Sequence, residues 1–155
     1  MKTSVMTYLE KGDLSALTTY QAGILQSVVY RNLQKQSDTI LKKYGITKMH
    51  WLIIGSILDA KQRGVRITDL AKKLGTTLPY LTTTVNLLES KGMVTRSGHE
   101  TDSRAKVVLI DPEFAPKCTE IEKAMREALR TTLYADIDPD ELRTYMKVLY
   151  QLSRV

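Results

Sequence analysis

The sequence predicts a mainly α fold, with long helices at both ends enclosing a pair of short helices and a small antiparallel β-hairpin. Three observations predict it. Apolar residues recur at three- and four-residue steps over residues 14–44, through Leu14, Leu17, Ile24, Leu25, Val28, Leu33, Ile40 and Leu41. Glycines 45, 64, 75 and 92 stand where helical patterns stop. The segment "MVTRSGHETDSRAKVVLI" reads instead as two strands, near 93–97 and 105–110, around a turn at Gly98 to Ser103.

The elements follow in order. Residues 14–44 predict one long helix ended by Gly45. Thr47 is expected to cap a second helix through about Lys61, with Trp51, Ile54, Ile57 and Leu58 on one face. In "RITDLAKKLG", Thr68 is the expected N-cap, Leu70, Ala71 and Leu74 face inward, and Gly75 makes the exit turn. In "TTLPYLTTTVNLLESKG", Thr76 or Thr77 caps a helix and Pro79 sits in the first turn, where no amide donor is missed. Two short helices joined around a glycine make a helix-turn-helix, and the hairpin after it makes a wing. Asp111 and Asp138, each followed by proline, are expected to cap helices over 112–134 and 139–154. Residues 1–12 read as a short extra helix. The whole is expected to be one domain, 1–155. Residues 46–110 form the winged region, and 14–44 and 111–155 the dimerisation helices.

With 155 residues and 43% hydrophobic content, the chain can build a core without metals or disulfides. One cysteine allows no intrachain disulfide and points to a reducing cytoplasm. No apolar run approaches bilayer length, and "MKTSVMTYLEKG" has no sustained apolar stretch, so neither membrane nor secretion is expected. The net charge of +6 favours an acidic partner. Residues 63–106 hold eight Lys and Arg against four acids, which concentrates the excess in the winged segment. His50, His99 and Cys118 are scattered without zinc-site pairing, so no metal or cofactor is implied. No nucleophile–base–acid constellation supports an enzyme. Cys118 reads as an inert thiol.

Three stretches in this order resemble the MarR family of bacterial winged-helix regulators. They are "GITKMHWLIIGSIL", with His50 where the family usually has glutamine, then "ITDLAKKLG…LLESKGMVTR", and "DSRAKVVLI". The resemblance covers about residues 14–154. It implies a homodimeric, sequence-specific transcriptional regulator, a repressor at a pseudo-palindromic promoter site. It also implies that Asp102 orients Arg104 into the minor groove beside the recognition helix. A carboxylate two residues away in an extended segment can hold the guanidinium fork, and a narrow minor groove attracts arginine. Lys106 and Arg96 would then hold phosphates.

On the recognition helix, Leu78, Leu81, Val85 and Leu88 are the expected buried stripe. Thr77, Pro79, Tyr80 and Thr83 are the expected DNA-facing residues. The helix departs from the family in lacking Arg or Lys before Lys91, with Thr83 where arginine is common, so bidentate arginine–guanine readout is absent. This keeps open a second reading, a winged-helix module that binds protein and has lost DNA affinity. The family often takes small aromatic or phenolic effectors between the winged region and the dimerisation helices. Tyr30, Tyr44, Met49, His50 and Trp51 are the candidate lining, although aromatics at helical spacing also fit a plain core.

Overall fold

A computed structural model describes residues 10, 12, 14–98 and 106–154. They fall into two compact units, residues 1–36 and 37–155. Helix α1, Thr19–Leu41, follows a single 3-10 turn at Leu14–Ala16. The uninterrupted helix expected over 14–44 is therefore broken near its start and tightened at its end. Thr18 is the cause at the start. Its hydroxyl accepts from the Gln21 amide at 3.2 Å, and the Gln21 side chain accepts from the Thr18 amide at 3.0 Å. This reciprocal capping box starts the helix afresh.

In the larger unit, a 3-10 turn at Lys42–Tyr44 leads into Gly45, which is left-handed at φ 68°. The Ile46 and Gly45 amides donate to the Leu41 and Lys42 carbonyls, and Ile46 drops into the core. Helix α2, Lys48–Ala60, is capped by Thr47 as expected. Its buried face holds Ile53, Ile54 and Ile57, while Leu58 points outward.

Strand β1, Val65–Arg66, runs straight into α3, Ile67–Leu74, so the cap position is Arg66 and not Thr68. Pairing of β1 with the sheet fixes the extended backbone up to residue 66, and the helix begins at the next residue. Gly64 precedes β1 at φ 63°, and a Cβ there would lie 2.9 Å from the Val108 carbonyl oxygen. Only glycine lets the chain pass so close to the strand.

Helix α4, Leu78–Ser90, follows a three-residue turn, with Thr77 at the cap position. Strands β2, Val94–Gly98, and β3, Lys106–Ile110, pair antiparallel with Gly98 opposite Lys106. The sheet order is β1-β3-β2, so the expected hairpin gains a third strand.

Helix α5, Ala115–Thr131, starts three residues later than expected. Asp111 accepts from the Glu113 amide at 2.9 Å in a local turn, and the first-turn proline is Pro116, not Pro112. Helix α6, Pro139–Leu152, begins at the expected Asp138 cap, with Glu141 completing a capping box. The core gathers Leu41, Ile46, Ile53, Ile54, Ile57, Leu70, Leu81, Val85, Leu88, Val94, Val108 and Ile121 from α1 through α5. Helix α6 contributes no buried residue to it. No helix among the described residues is long and apolar enough to cross a membrane.

Candidate nucleic-acid interface

Helices α3 and α4 meet through Gly75, left-handed at φ 60°. The Thr76 and Gly75 amides close on the Ala71 and Lys72 carbonyls. Leu70 and Ala71 from α3 and Leu81, Val85 and Leu88 from α4 fill the space between them. Thr84 completes the buried stripe of α4, its hydroxyl donating to the Tyr80 carbonyl at 2.8 Å. Leu78 does not belong to it. At the first helical position the chain end stands clear of the core, and Leu78 is 45% exposed.

The outer face of α4 presents Thr77, Pro79, Tyr80, Thr83, Asn86, Leu87 and Ser90, all exposed. Thr82 and Thr83 donate their hydroxyl protons to the Leu78 and Pro79 carbonyls at 2.9 and 3.1 Å. Their methyls and oxygen lone pairs remain for a partner, but not a free proton. Of the wing residues, Lys106 is exposed at the start of β3. Arg96 sits in β2, half-buried, with its guanidinium donating to the Glu89 carboxylate and to Asn86 Oδ1 on α4. The residue expected to hold phosphate is thus engaged in fastening the wing to the recognition helix. Asp102, Arg104 and His99 lie outside the described residues. Nearby, Lys73 pairs with Asp59 of α2 at 3.6 Å, and Lys91 donates to the Gly45 carbonyl at 2.9 Å.

Residues 44–105 match the model of the MarR family. The matched segment takes in the α1–α2 corner, the helix-turn-helix and the span from β2 toward β3. Solved structures extend the likeness over most of the chain. A mutant MarR from E. coli complexed with operator DNA is 25% identical, with a TM-score of 0.72, covering 84% of this chain and 91% of its own. CouR from Rhodococcus jostii, bound to p-coumaroyl-CoA, is 20% identical with a TM-score of 0.73, covering 84% and 89%. The S. aureus MepR–DNA complex is 19% identical with a TM-score of 0.69, covering 86% and 97%. Below 25% identity the likeness speaks for the fold: a mostly helical chain with a small three-stranded antiparallel sheet, as in winged-helix MarR structures.

The expected effector lining is distributed differently from the sequence reading. Tyr30 lies in the first unit. Tyr44 carries the Lys117 ammonium over its ring, 5.3 Å from the centroid. Met49 packs against the core. Trp51 faces a cleft of about 600 Å³, whose other walls come from α5 and α6 and from the residues between them. The resemblance sets an effector cleft against the dimerisation helices, but Met125, Leu129 and Tyr134 are not among the residues it suggests, since their apolar spacing fits a dimer face equally well. Burial raises the Tyr134 phenol above the usual range, with Tyr145 adding to it. Cys118 is buried, and burial likewise raises its thiol, which keeps it in the unreactive form.

His50 occupies the glutamine position of a capping box. Its Nδ1 accepts from the Thr47 amide at 3.2 Å while its own amide donates to the Thr47 hydroxyl at 3.3 Å. An accepting Nδ1 requires the neutral ring. Burial first, and the Lys91 charge second, lower the His50 pKa. The unfolded chain therefore takes up a proton before the folded one. Stability from this group is complete above the ordinary histidine pKa of roughly 6.5 and is lost as pH falls from there toward the lowered folded value. Urea unfolding between pH 7.5 and 5 should show this loss in the parent and a flatter profile in His50→Gln, which keeps the acceptor without titrating. At pH 7.5, His50→Ala should cost about 1 kcal/mol, the worth of a helix cap. Equal slopes in parent and glutamine variant would remove His50 from the acid response.

Proposed function

We propose that the protein is a sequence-specific double-stranded-DNA-binding transcriptional regulator. It acts in the cytoplasm as a homodimer on a pseudo-palindromic promoter site. It represses by occupying that site and is released by a small aromatic or phenolic ligand. The observation that carries the reading is the exposed outer face of α4, with Thr77, Pro79, Tyr80 and Thr83 clear of the core, together with the exposed Lys106 at the start of β3. In this reading that face meets base edges in the major groove. Lys106 meets phosphate, and Asp102 and Arg104 act in the minor groove. In this reading, residues 46–110 are the DNA-binding region and 14–44 and 111–155 are the dimerisation helices.

The rival reading, a protein-binding winged helix, is favoured by the absence of Lys and Arg from α4. A mobility shift of duplexes enriched from a random pool separates the two. Six or more phosphate contacts across a dimer should weaken binding roughly a thousand-fold between 50 and 200 mM salt. Binding that is absent, or indifferent to salt, would favour the protein-binding module.

For the effector, the cleft beside Trp51 is the better-formed place. Met125, Leu129, Leu142 and Met146 give it apolar walls, and Arg126 and Arg130 line it as cations, each paired with a glutamate of its own helix. Such a lining suits an aromatic acid. Trp51 is the chain's one tryptophan, so its fluorescence reads the site directly. Hydroxybenzoic acids should quench it saturably and weaken the mobility shift. A flat titration across the panel would leave the cleft without this role.

A further inference from the structure

The contact between Arg96 and α4 has a consequence for how DNA sequence is read. Pro79, Thr83 and Asn86 are spaced four and three residues apart, so they stand in one row on the outer face of α4. Pro79 has no polar side chain, and the Thr83 proton is committed to the Pro79 carbonyl. Asn86 is therefore the side-chain proton donor of that row. Its orientation is set by chemistry. A guanidinium only donates, so the group it meets must be the Asn86 carbonyl oxygen and not the amide nitrogen. Glu89 takes another proton of the same guanidinium and fixes it from the other side.

We propose that Asn86 is a specificity-determining residue that reads a base as a donor through Nδ2, and that Arg96 is the positioning residue that holds it so. The proposal rests on the DNA-binding reading above. Asparagine's two-point pairing with adenine needs Oδ1 to accept from N6 while Nδ2 donates to N7. Here Oδ1 already accepts from Arg96, and the amide plane is held by that bond. The base that fits presents an acceptor without an adjacent donor, which is guanine through O6 and N7 or thymine through O4. Cytosine offers only a donor at that edge and is rejected. This gives the recognition helix, which carries no Lys or Arg, a base contact of its own.

Selection of duplexes from a random pool by the full chain tests it, with parent, Asn86→Ala, Arg96→Met and Arg96→Lys run in parallel. The parent should enrich a motif with guanine or thymine at one position per half-site. Asn86→Ala should flatten that position several-fold and leave the others. Arg96→Met frees the amide to turn and should shift the same position toward adenine. Arg96→Lys retains a donor and should restore the parent preference. A merely structural Arg96 would lower affinity without moving one base. A parent motif unchanged by Asn86→Ala would overturn the proposal while leaving DNA binding intact. A parent that enriches no motif would overturn the DNA reading itself, and this proposal with it.

Discussion

Leu149→Asp with Leu152→Asp should leave a folded monomer that no longer binds a two-fold DNA site. Helix α6 has no buried residue, yet away from the cleft it exposes Val148, Leu149, Tyr150 and Leu152, the last at 62%. A helix this apolar on its outer side needs a cover, and a second copy offers the same ridge in return. Burying one leucine stabilises by about 1.5–3 kcal/mol, and a two-fold interface would lose four of them at once. A loss on the order of 5 kcal/mol corresponds to a dissociation constant raised by more than a thousand-fold. The helix itself should survive, because the Asp138–Glu141 capping box that starts it is untouched. Sedimentation gives the mass, circular dichroism the helix content, and a mobility shift the binding. A variant that remains dimeric would place the dimer contact elsewhere. A stable monomer that still grips the full palindrome would end the requirement for a dimer.

Much of the fold was legible because glycine and capping residues act locally. Gly45, Gly75 and Gly92 each stop a helix by the same backbone closure, and this can be read from one residue and its spacing. Asp138 was legible for the same reason. Thr18 was not, because its capping box with Gln21 interrupts an apolar pattern that continues on both sides of it. Thr68 and Asp111 looked like caps, but strand pairing at Arg66 and a local turn at Glu113 decided where those helices begin. A two-residue strand such as β1 has no room to show alternation. On the candidate site, the exposed row of α4 followed from helical period. The Arg96 contact did not, since its partners lie seven and ten residues away on another element and only folding joins them. Trp51 was legible as a cleft residue, whereas its opposite walls, some seventy residues on or more, were not.

Arg104→Ala should weaken operator binding by on the order of 1–3 kcal/mol per wing, the range for a good groove contact, and flatten any preference for A/T tracts. Position 104 lies outside the described residues, so the expectation rests on the sequence and on what flanks it. Strands β2 and β3 pair to their very ends, Gly98 opposite Lys106, and the seven residues 99–105 connect them. With α4 carrying no Lys or Arg, the cation that residues 99–105 contribute, Arg104, is expected to supply part of the affinity. Affinity must then lean on it, and A/T-rich half-sites with a narrow minor groove are the expected targets. Asp102→Ala decides between a built contact and a solvated tip. Removing an acid near phosphate should tighten binding if the charge is incidental, since less negative potential faces the DNA. If Asp102 holds the Arg104 fork in position, the same change should weaken binding, because the freed guanidinium must be ordered again at each encounter. Titrating both variants against one labelled duplex at fixed salt reads the sign directly. Tighter binding by Asp102→Ala together with an unaffected Arg104→Ala would reduce the wing to surface charge, and the specificity would then have to come from α4 alone.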